Sequence, residues 1–310
     1  MIVRESFSRD VARLVIWYPV RLIIKFLPVT FSFSLFRLLG RLHFYLGTRS
    51  TENLRKNILL GHPAIDRKTT NAILKSYLEN HYIDRLHIFT YPRLKSKKEM
   101  NKICSIEGLD LLASALNERK GVIIVLGHYG PIQLPLFQLG SLGYPIIQVG
   151  LPTDDGLSWT GRNVAFKLRM RYESMIPAKI LPADTFLRPL FSHLKENGIV
   201  MMNIDPAGGG RWIGRLLWRP FFNHCIPFSL GSATLAHKTG APLLPLSIKR
   251  LPDKTYRFEF DEVIRPEESQ TPEMTLDRLI KWYERVVSED PGLWHFWDEY
   301  EIGKMIRDKE

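Results

Sequence analysis

Short apolar runs alternate with longer mixed segments from residue 103 onward. The runs at 122–126, 145–149, 199–203 and 243–248 are bounded by Gly, Pro or polar residues, as is typical of buried strands. The segments between them, 131–142, 156–172, 185–196 and 229–239, are long enough for helices. Because strands alternate with helices, the pattern predicts an α/β fold with a mostly parallel central sheet that helices cover on both faces.

The ends of the chain extend this pattern. Residues 256–260 alternate between polar and apolar as an edge strand does, and a helix over 272–288 leads into a cluster of Trp294, Phe296 and Trp297. Residues 51–100 have a surface-like helical texture, and no Gly/Ser-rich linker divides the chain. We therefore expect an N-terminal helical region over 1–50 and one α/β domain over 51–310.

The N-terminal region is the most lipid-like part of the sequence. Its longest uncharged stretch, 26–36, is far shorter than the roughly 20 apolar residues of a membrane span. Basic residues interrupt the rest at intervals, namely Arg13, Arg21, Lys25, Arg37 and Arg41. This pattern predicts a helical pair that lies in the membrane surface, with its basic side chains near anionic head groups. An amphipathic helix packed on the domain's own core fits it equally well.

The charge balance points to a polyanionic partner without choosing one. The formal net charge is +11 and the sequence pI is about 9.6, which suits phospholipid, nucleic acid, an acidic carrier protein or a phosphorylated substrate. No nucleic-acid recognition motif accompanies the charge. Cys104 and Cys225 lie far apart and match no metal-ligand spacing, so we expect a reduced, cytoplasmic setting and no metal.

His128 is the main candidate for chemistry. It lies two residues after the strand predicted at 122–126, and Asp205 lies two residues after the strand predicted at 199–203. The carboxyl ends of parallel strands border one crevice, so these two side chains can converge there. If a helix begins near Pro131, Gln133 lies in its first turn and can hold one imidazole nitrogen while the other takes a proton. A turn histidine that only bonds to backbone is the alternative.

Several motifs in order along the chain resemble those of the late lipid A lauroyl and myristoyl acyltransferases, within the superfamily that carries His-x-x-x-x-Asp/Glu. His128 and Gln133 occupy the two positions of that motif. The other matches are Asn-Leu-Arg-Lys-Asn-Ile at 53–58, Leu-Lys-Glu-Asn-Gly-Ile-Val at 194–200 followed by Asp205, Arg-Pro-Phe-Phe at 219–222, Gly-Ser-Ala-Thr-Leu-Ala at 231–236, Thr-Gly-Ala-Pro at 239–242, and the Pro/Trp cluster at 291–297. The resemblance covers most of the chain.

The resemblance implies a glycerolipid acyltransferase-like fold and a peripheral or monotopic enzyme at the cytoplasmic face of the bacterial inner membrane. Such an enzyme binds no cofactor and takes its acyl chain from an acyl carrier protein (ACP) or coenzyme A (CoA) thioester. The acceptor is a hydroxyl of a lipid A-type glycolipid or related lipid. His128 is then the base, Arg169 and Arg171 hold a substrate phosphate or the oxyanion, and Asp205 positions an arginine or lines the pocket.

Two features qualify this expectation. Gln133 stands where the family has a carboxylate, and an amide can orient the imidazole but supplies no negative charge. A catalytically impaired homologue that binds or presents lipid is therefore the alternative. The glycines at 208–210 lead into Arg211 and Arg215, which family position places in a loop at the substrate entrance; a solvated basic loop is the other interpretation.

Overall fold

The computed structural model describes residues 7–150, 154–183, 187–205 and 214–307. Nine strands lie in this part of the chain: β1 Cys104–Glu107, β2 Val122–Leu126, β3 Ile146–Gly150, β4 Lys179–Pro182, β5 Ile199–Asn203, β6 Leu216–Phe221, β7 His224–Ser229, β8 Leu243–Arg250 and β9 Tyr256–Phe260. Seven of them form one sheet in the order β1-β9-β8-β2-β5-β3-β4, and β6 and β7 form a separate antiparallel hairpin.

The described α-helices are α1 Phe7–Val15, α2 Arg21–Phe26, α3 Val29–Leu46, α4 Arg49–Gly61, α5 Arg67–Leu86, α6 Tyr91–Leu94, α7 Lys97–Met100, α8 Leu109–Asn117, α9 Gln133–Ser141, α10 Lys167–Glu173, α11 Arg188–Lys195, α12 Gly231–Thr239 and α13 Pro272–Glu289. One π-helical segment, Ile16–Val20, joins α1 to α2, and another, Gly161–Phe166, precedes α10. Short 3₁₀ turns cover His87–Thr90, Pro266–Glu268, Pro291–Leu293 and His295–Asp298.

The predicted fold class is confirmed. Strands β8, β2, β5, β3 and β4 are all parallel, with helices between them in the chain. β2 and β5 lie at the centre, where every residue of β2 is buried, so a continuous apolar run is what their position requires. The sheet was predicted from these runs, and all four of them are strands.

The prediction for the edges of the sheet is wrong. Residues 256–260 are a strand, but β9 lies between β8, to which it is antiparallel, and β1, to which it is parallel. The true edges are β1 and β4, each of four residues and neither continuously apolar, so neither gives a clear hydrophobic pattern.

The C-terminal aromatic cluster fixes the loop that follows β2. Trp294 and Trp297 are fully buried, with their ring centroids 4.8 Å apart. Trp294 forms an isolated antiparallel β-bridge with Tyr129, and the His295 backbone N–H donates to the His128 carbonyl at 3.0 Å. The end of the chain therefore holds the backbone of the segment that carries His128.

The N-terminal helices pack unequally on this domain. α3 lies against α5 so closely that a Cβ added at Gly40 would come within 2.6 Å of the Glu79 backbone. α1, in contrast, has no buried residue. Of the helices in the described residues, none combines the length and the apolar character needed to cross a bilayer. The interfacial role of residues 1–50, and a domain boundary after them, stay predictions.

Candidate active site

His128 and Asp205 meet at the carboxyl edge of the central sheet. β2 and β5 are neighbours, with Leu126 opposite Asn203, so the residues that follow the two strands emerge side by side. His128 Nδ1 lies 2.7 Å from Asp205 Oδ1, and the His128 backbone N–H donates to Asp205 Oδ2, also at 2.7 Å. The convergence that the strand pattern predicted is present, with Asp205 contacting the imidazole itself.

Asp205 is buried and receives one further hydrogen bond, from the Tyr283 hydroxyl to Oδ2 at 2.7 Å. Its three partners can all donate, which suits a carboxylate because a carboxylate only accepts. Burial, reinforced by the neighbouring Asp205 charge, raises the pKa of Tyr283 well above its usual value, so its hydroxyl keeps its proton. Asp205 is thus held in one orientation from two sides.

This contact decides what the imidazole can do. With Nδ1–H donating to Asp205, the neutral ring keeps its lone pair on Nε2. Burial works to lower the pKa of His128, but the charge and hydrogen bond of Asp205 outweigh it, and the net direction is upward. The result is an oriented histidine that is a stronger base than an isolated one.

Gln133 does not contact His128 as the sequence predicted. Its Oε1 accepts from the Tyr91 hydroxyl at 2.6 Å, and its Nε2 donates to Glu173 Oε1 at 3.0 Å. Glu173 also accepts from Arg169 Nε at 2.6 Å. Since both polar atoms of the amide are satisfied by these neighbours and Asp205 already binds Nδ1, Gln133 joins a buried network instead of a catalytic pair.

The pair opens onto a cavity of about 450 Å³. Its lining is mostly polar and comes from one face of α5, from α10 and from the C-terminal 3₁₀ turn, comprising Tyr77, Asn80, His81, Asp84, Arg85, His128, Arg169, His295, Phe296, Asp298 and Glu299. The α5 residues were not predicted. The others follow Tyr77 by three, four, seven and eight positions, and this spacing is the available signal because it puts polar side chains on one helical face.

His295 faces His128 across part of this cavity. The two ring centroids are 6.2 Å apart. His295 Nε2 lies 2.7 Å from the Gly130 carbonyl, while Nδ1 is 3.8 Å from Asp84 Oδ2. Burial works to raise the pKa of Asp84, but the nearby His295, His87 and arginine side chains outweigh it and lower the pKa, so the cavity wall carries a carboxylate. Through its contact with the Gly130 carbonyl, His295 stabilises the loop that carries His128.

The predicted arginines are placed differently from one another. Arg169 lines the cavity, with its side chain 55% exposed and its Nε held by Glu173. Arg171 is exposed and does not line it. Arg215 also lies apart from the cavity lining and pairs with Glu273 at 3.1 Å. Arg211 lies outside the described residues. Within the described ranges, no three His, Cys, Asp or Glu side chains are placed to hold a metal ion.

The sequence model of one family, described as bacterial lipid A biosynthesis acyltransferase, matches residues 5–298. The chain belongs to this family. A similar solved structure is the 1-acyl-sn-glycerophosphate (LPA) acyltransferase PlsC from Thermotoga maritima; it is 20% identical, the match covers 84% of this chain and 99% of that one, and the TM-score is 0.38. Among curated proteins, none matches the chain.

As a member of the lipid A biosynthesis acyltransferase family, the protein is an acyltransferase whose motif has a glutamine in its second position. In the structure, the side chain of this glutamine bonds to Tyr91 and Glu173. A carboxylate at this position would face the buried Glu173 carboxylate, which already accepts from Arg169. The family's usual residue does not fit the local network of this chain.

We therefore expect Gln133→Glu to lower the free energy of unfolding by about 1–3 kcal/mol and not to raise acyl transfer, because the change replaces a donor to a buried carboxylate with a like charge. Urea denaturation measures the first effect and product formation measures the second. Gln133→Met, of similar length and uncharged, separates loss of the hydrogen bonds from charge repulsion. A clear gain of activity in Gln133→Glu would contradict the assignment of Gln133 to the Tyr91–Glu173 network.

Proposed function

We propose that this acyltransferase moves a fatty acyl chain from an ACP or CoA thioester to a hydroxyl of a lipid A-type glycolipid or related lipid, with His128 as the general base. The observation that carries the proposal is the His128–Asp205 pair at the edge of a polar cavity. A base for a lipid hydroxyl needs an unprotonated imidazole nitrogen, a fixed tautomer and space for a polar head group.

The proposed reaction needs no covalent enzyme intermediate. The acceptor hydroxyl gives its proton to His128 Nε2 as its oxygen attacks the thioester carbonyl. When the tetrahedral intermediate collapses, the carbon–sulfur bond breaks and the departing thiolate takes the proton from Nε2. Asp205 keeps Nδ1 protonated throughout and stabilises the imidazolium that forms between these steps.

The same contact favours catalysis over the alternative of an impaired lipid-binding homologue. That alternative rests on the missing carboxylate at Gln133. Asp205, which comes from the neighbouring strand, provides a buried carboxylate 2.7 Å from Nδ1. In the proposed complex, Arg169, which also lines the cavity, contacts the polar part of the acceptor or the donor phosphate, because a guanidinium is suited to phosphate oxygens.

The proposed setting is the cytoplasmic face of the bacterial inner membrane, where the protein is peripheral or monotopic. α1 supports a membrane contact because its polar side faces the protein. Asp10 and Arg13 bond with Ser158, and the Arg13 side chain is only 14% exposed. Several large apolar residues of α1, α2 and the segment between them face outward, with Phe7 83% and Phe26 74% exposed, while Ile24 of α2 is buried in the core. Large exposed apolar surfaces of this kind mark interaction sites.

Basic and aromatic side chains border this apolar face. Arg93 donates to the carbonyls of Lys25 and Phe26, both at 3.2 Å, and so ties the basic segment 93–98 to the end of α2. Lys95, Lys97 and Lys98 in that segment are exposed. Trp159, next to the Ser158 that anchors α1, is 75% exposed. An apolar face bordered by cations and an indole is complementary to an anionic phospholipid surface.

A vesicle flotation assay tests this surface. We expect the double change Leu22→Glu and Phe26→Glu to weaken binding to vesicles of phosphatidylethanolamine and phosphatidylglycerol by about 10- to 100-fold, because each side chain contributes on the order of 1 kcal/mol or more when it enters lipid. Met274→Glu, at an exposed apolar residue of α13, is the matched control and should bind normally. Equal binding of the double variant and the control would contradict the proposed surface.

The activity itself is tested with purified protein, lauroyl- and myristoyl-CoA or the matching acyl-ACPs, and a panel of acceptors. The panel contains a lipid A precursor, a neutral glycolipid and 1-acyl-sn-glycerophosphate, each presented in vesicles, and mass spectrometry detects the acylated product. Transfer to one acceptor class supports the proposal and identifies the substrate. Lipid binding without transfer to any acceptor would instead support the lipid-presenting alternative.

A further inference from the structure

Asn203 contacts the second nitrogen of the candidate base. It is the last residue of β5 and lies two positions before Asp205. Its amide nitrogen Nδ2 is 3.2 Å from His128 Nε2. One strand end therefore supplies a partner to each imidazole nitrogen, a carboxylate to Nδ1 and an amide to Nε2.

The Asp205 contact fixes the direction of the Asn203 hydrogen bond. Because Nδ1–H donates to the carboxylate, Nε2 of the neutral ring is an acceptor and must face a donor. The Asn203 NH₂ group is that donor. The Asn203 carbonyl oxygen Oδ1 is buried and has no hydrogen-bond partner within the described residues, so no other contact competes for the orientation of the amide.

We propose that Asn203 is a further catalytic residue, whose amide N–H caps Nε2 in the resting enzyme and donates to the oxyanion during acyl transfer. The proposal rests on the proposed function. Its physical basis is that Nε2 has a single lone pair: the acceptor hydroxyl displaces the Asn203 N–H from it on binding, and Nε2 becomes a donor when it takes the substrate proton. Two donors then face each other at about the 3.2 Å of the resting contact, and the Asn203 N–H needs a new acceptor.

The reaction creates that acceptor at the same moment. The attacking oxygen must lie within hydrogen-bond distance of Nε2 to lose its proton, and so lies close to the Asn203 amide. As its bond to the thioester carbon forms, the carbonyl electron pair moves onto the carbonyl oxygen of that carbon. This oxyanion is the only new negative charge beside the base, and an amide N–H is a suitable donor to it.

Collapse of the intermediate restores the resting contacts. The carbonyl bond re-forms, the carbon–sulfur bond breaks, and the thiolate takes the proton from Nε2. The nitrogen is again an acceptor, and the Asn203 N–H returns to it. Proton transfer and oxyanion stabilisation are thereby coupled through one side chain, with no change in the protein's own charge over the cycle.

The experiment compares Asn203→Ala, Asn203→Asp and wild type in the transfer assay. Loss of one oxyanion donor typically lowers kcat by about 10²–10³-fold, so we expect that loss in Asn203→Ala with KM for the acceptor changed by less than about threefold. Asn57→Ala is the control, because Asn57 is a buried asparagine whose amide donates to the Trp297 carbonyl and not to His128. It should keep kcat when folded.

A second measurement does not depend on activity. In Asn203→Asp, a carboxylate beside Nε2–H stabilises the imidazolium, so the titration midpoint of His128 followed by ¹⁵N NMR should rise by more than about one pH unit relative to wild type. An unchanged midpoint, or an Asn203→Ala kcat within threefold of wild type, would overturn the role of Asn203. If wild type transfers nothing to any acceptor, the proposed function fails, while the titration still shows whether Asn203 contacts the base.

Discussion

His128→Ala is expected to reduce acyl transfer by at least about 10³-fold in kcat/KM, because it removes the group that takes the hydroxyl proton. The other side chain bonded to Asp205 among the described residues, Tyr283, is itself a donor and cannot replace it. The His128→Ala change also removes one donor from the buried Asp205 carboxylate, so the free energy of unfolding should fall by about 1–3 kcal/mol while the protein stays folded. The transfer assay with mass spectrometric detection gives kcat/KM, and urea denaturation gives the stability.

His237→Ala serves as the control for loss of a partly buried histidine. His237 Nε2 bonds to Thr275 Oγ1 at 2.9 Å, and the residue does not line the cavity. Its variant should transfer acyl chains normally when folded. If His128→Ala keeps transfer within tenfold of wild type, His128 is not the base, and the reaction must depend on another group of the cavity.

Asp205→Asn should lower kcat by about 10³–10⁴-fold, the scale seen when the equivalent change is made in serine proteases. Oδ2 accepts from both the His128 backbone and Tyr283, so the amide oxygen of the variant is expected to keep that position. The NH₂ group then faces Nδ1, which must become an acceptor, and the imidazole proton moves to Nε2. In that tautomer the nitrogen that faces the substrate cannot act as a base.

The dependence of the rate on pH provides a separate signature. Asp205 raises the pKa of His128, and only neutral imidazole acts as a base. Wild-type kcat/KM should therefore fall as pH drops through a pKa above the usual histidine value of about 6.5. Loss of the Asp205 charge should move this fall to lower pH while the plateau itself is much reduced. An Asp205→Asn profile with the wild-type midpoint and height would contradict the proposed pair.

Tyr283→Phe is the graded control for this prediction. It removes one donor to Oδ2 but keeps the carboxylate and the tautomer, so the loss of kcat should be less than about tenfold. A loss as large as that of Asp205→Asn would mean that the orientation of the carboxylate, more than its charge, supports the base.

The strong hydrophobic runs identified the centre of the fold from sequence. β2 and β5 are buried on both faces, so nearly every residue is apolar and the pattern is unambiguous. The β6–β7 hairpin was missed because each strand contains a proline, Pro220 and Pro227, which argues against a strand within a sheet. An isolated pair tolerates these residues because neither of its outer edges pairs with another strand of the described ranges.

The chemistry was only partly accessible from sequence. The position of His128 and Asp205 after two apolar strands predicted that they share one edge of the sheet, and they do. The identity of the partner of Nδ1 was misassigned to Gln133, which is near in sequence. Asp205 and Asn203 are remote from His128 along the chain, and their contacts exist only because β2 and β5 pair in register.

The sequence by itself determined that the protein has an α/β core, a histidine at a strand end and an amphipathic N-terminal segment, because each follows from the local periodicity of apolar residues. Only the tertiary structure decided which carboxylate binds the histidine, which residues line the cavity and which face of α1 points outward. Strand register and helix rotation arise from packing between distant segments, and local periodicity carries no information about them.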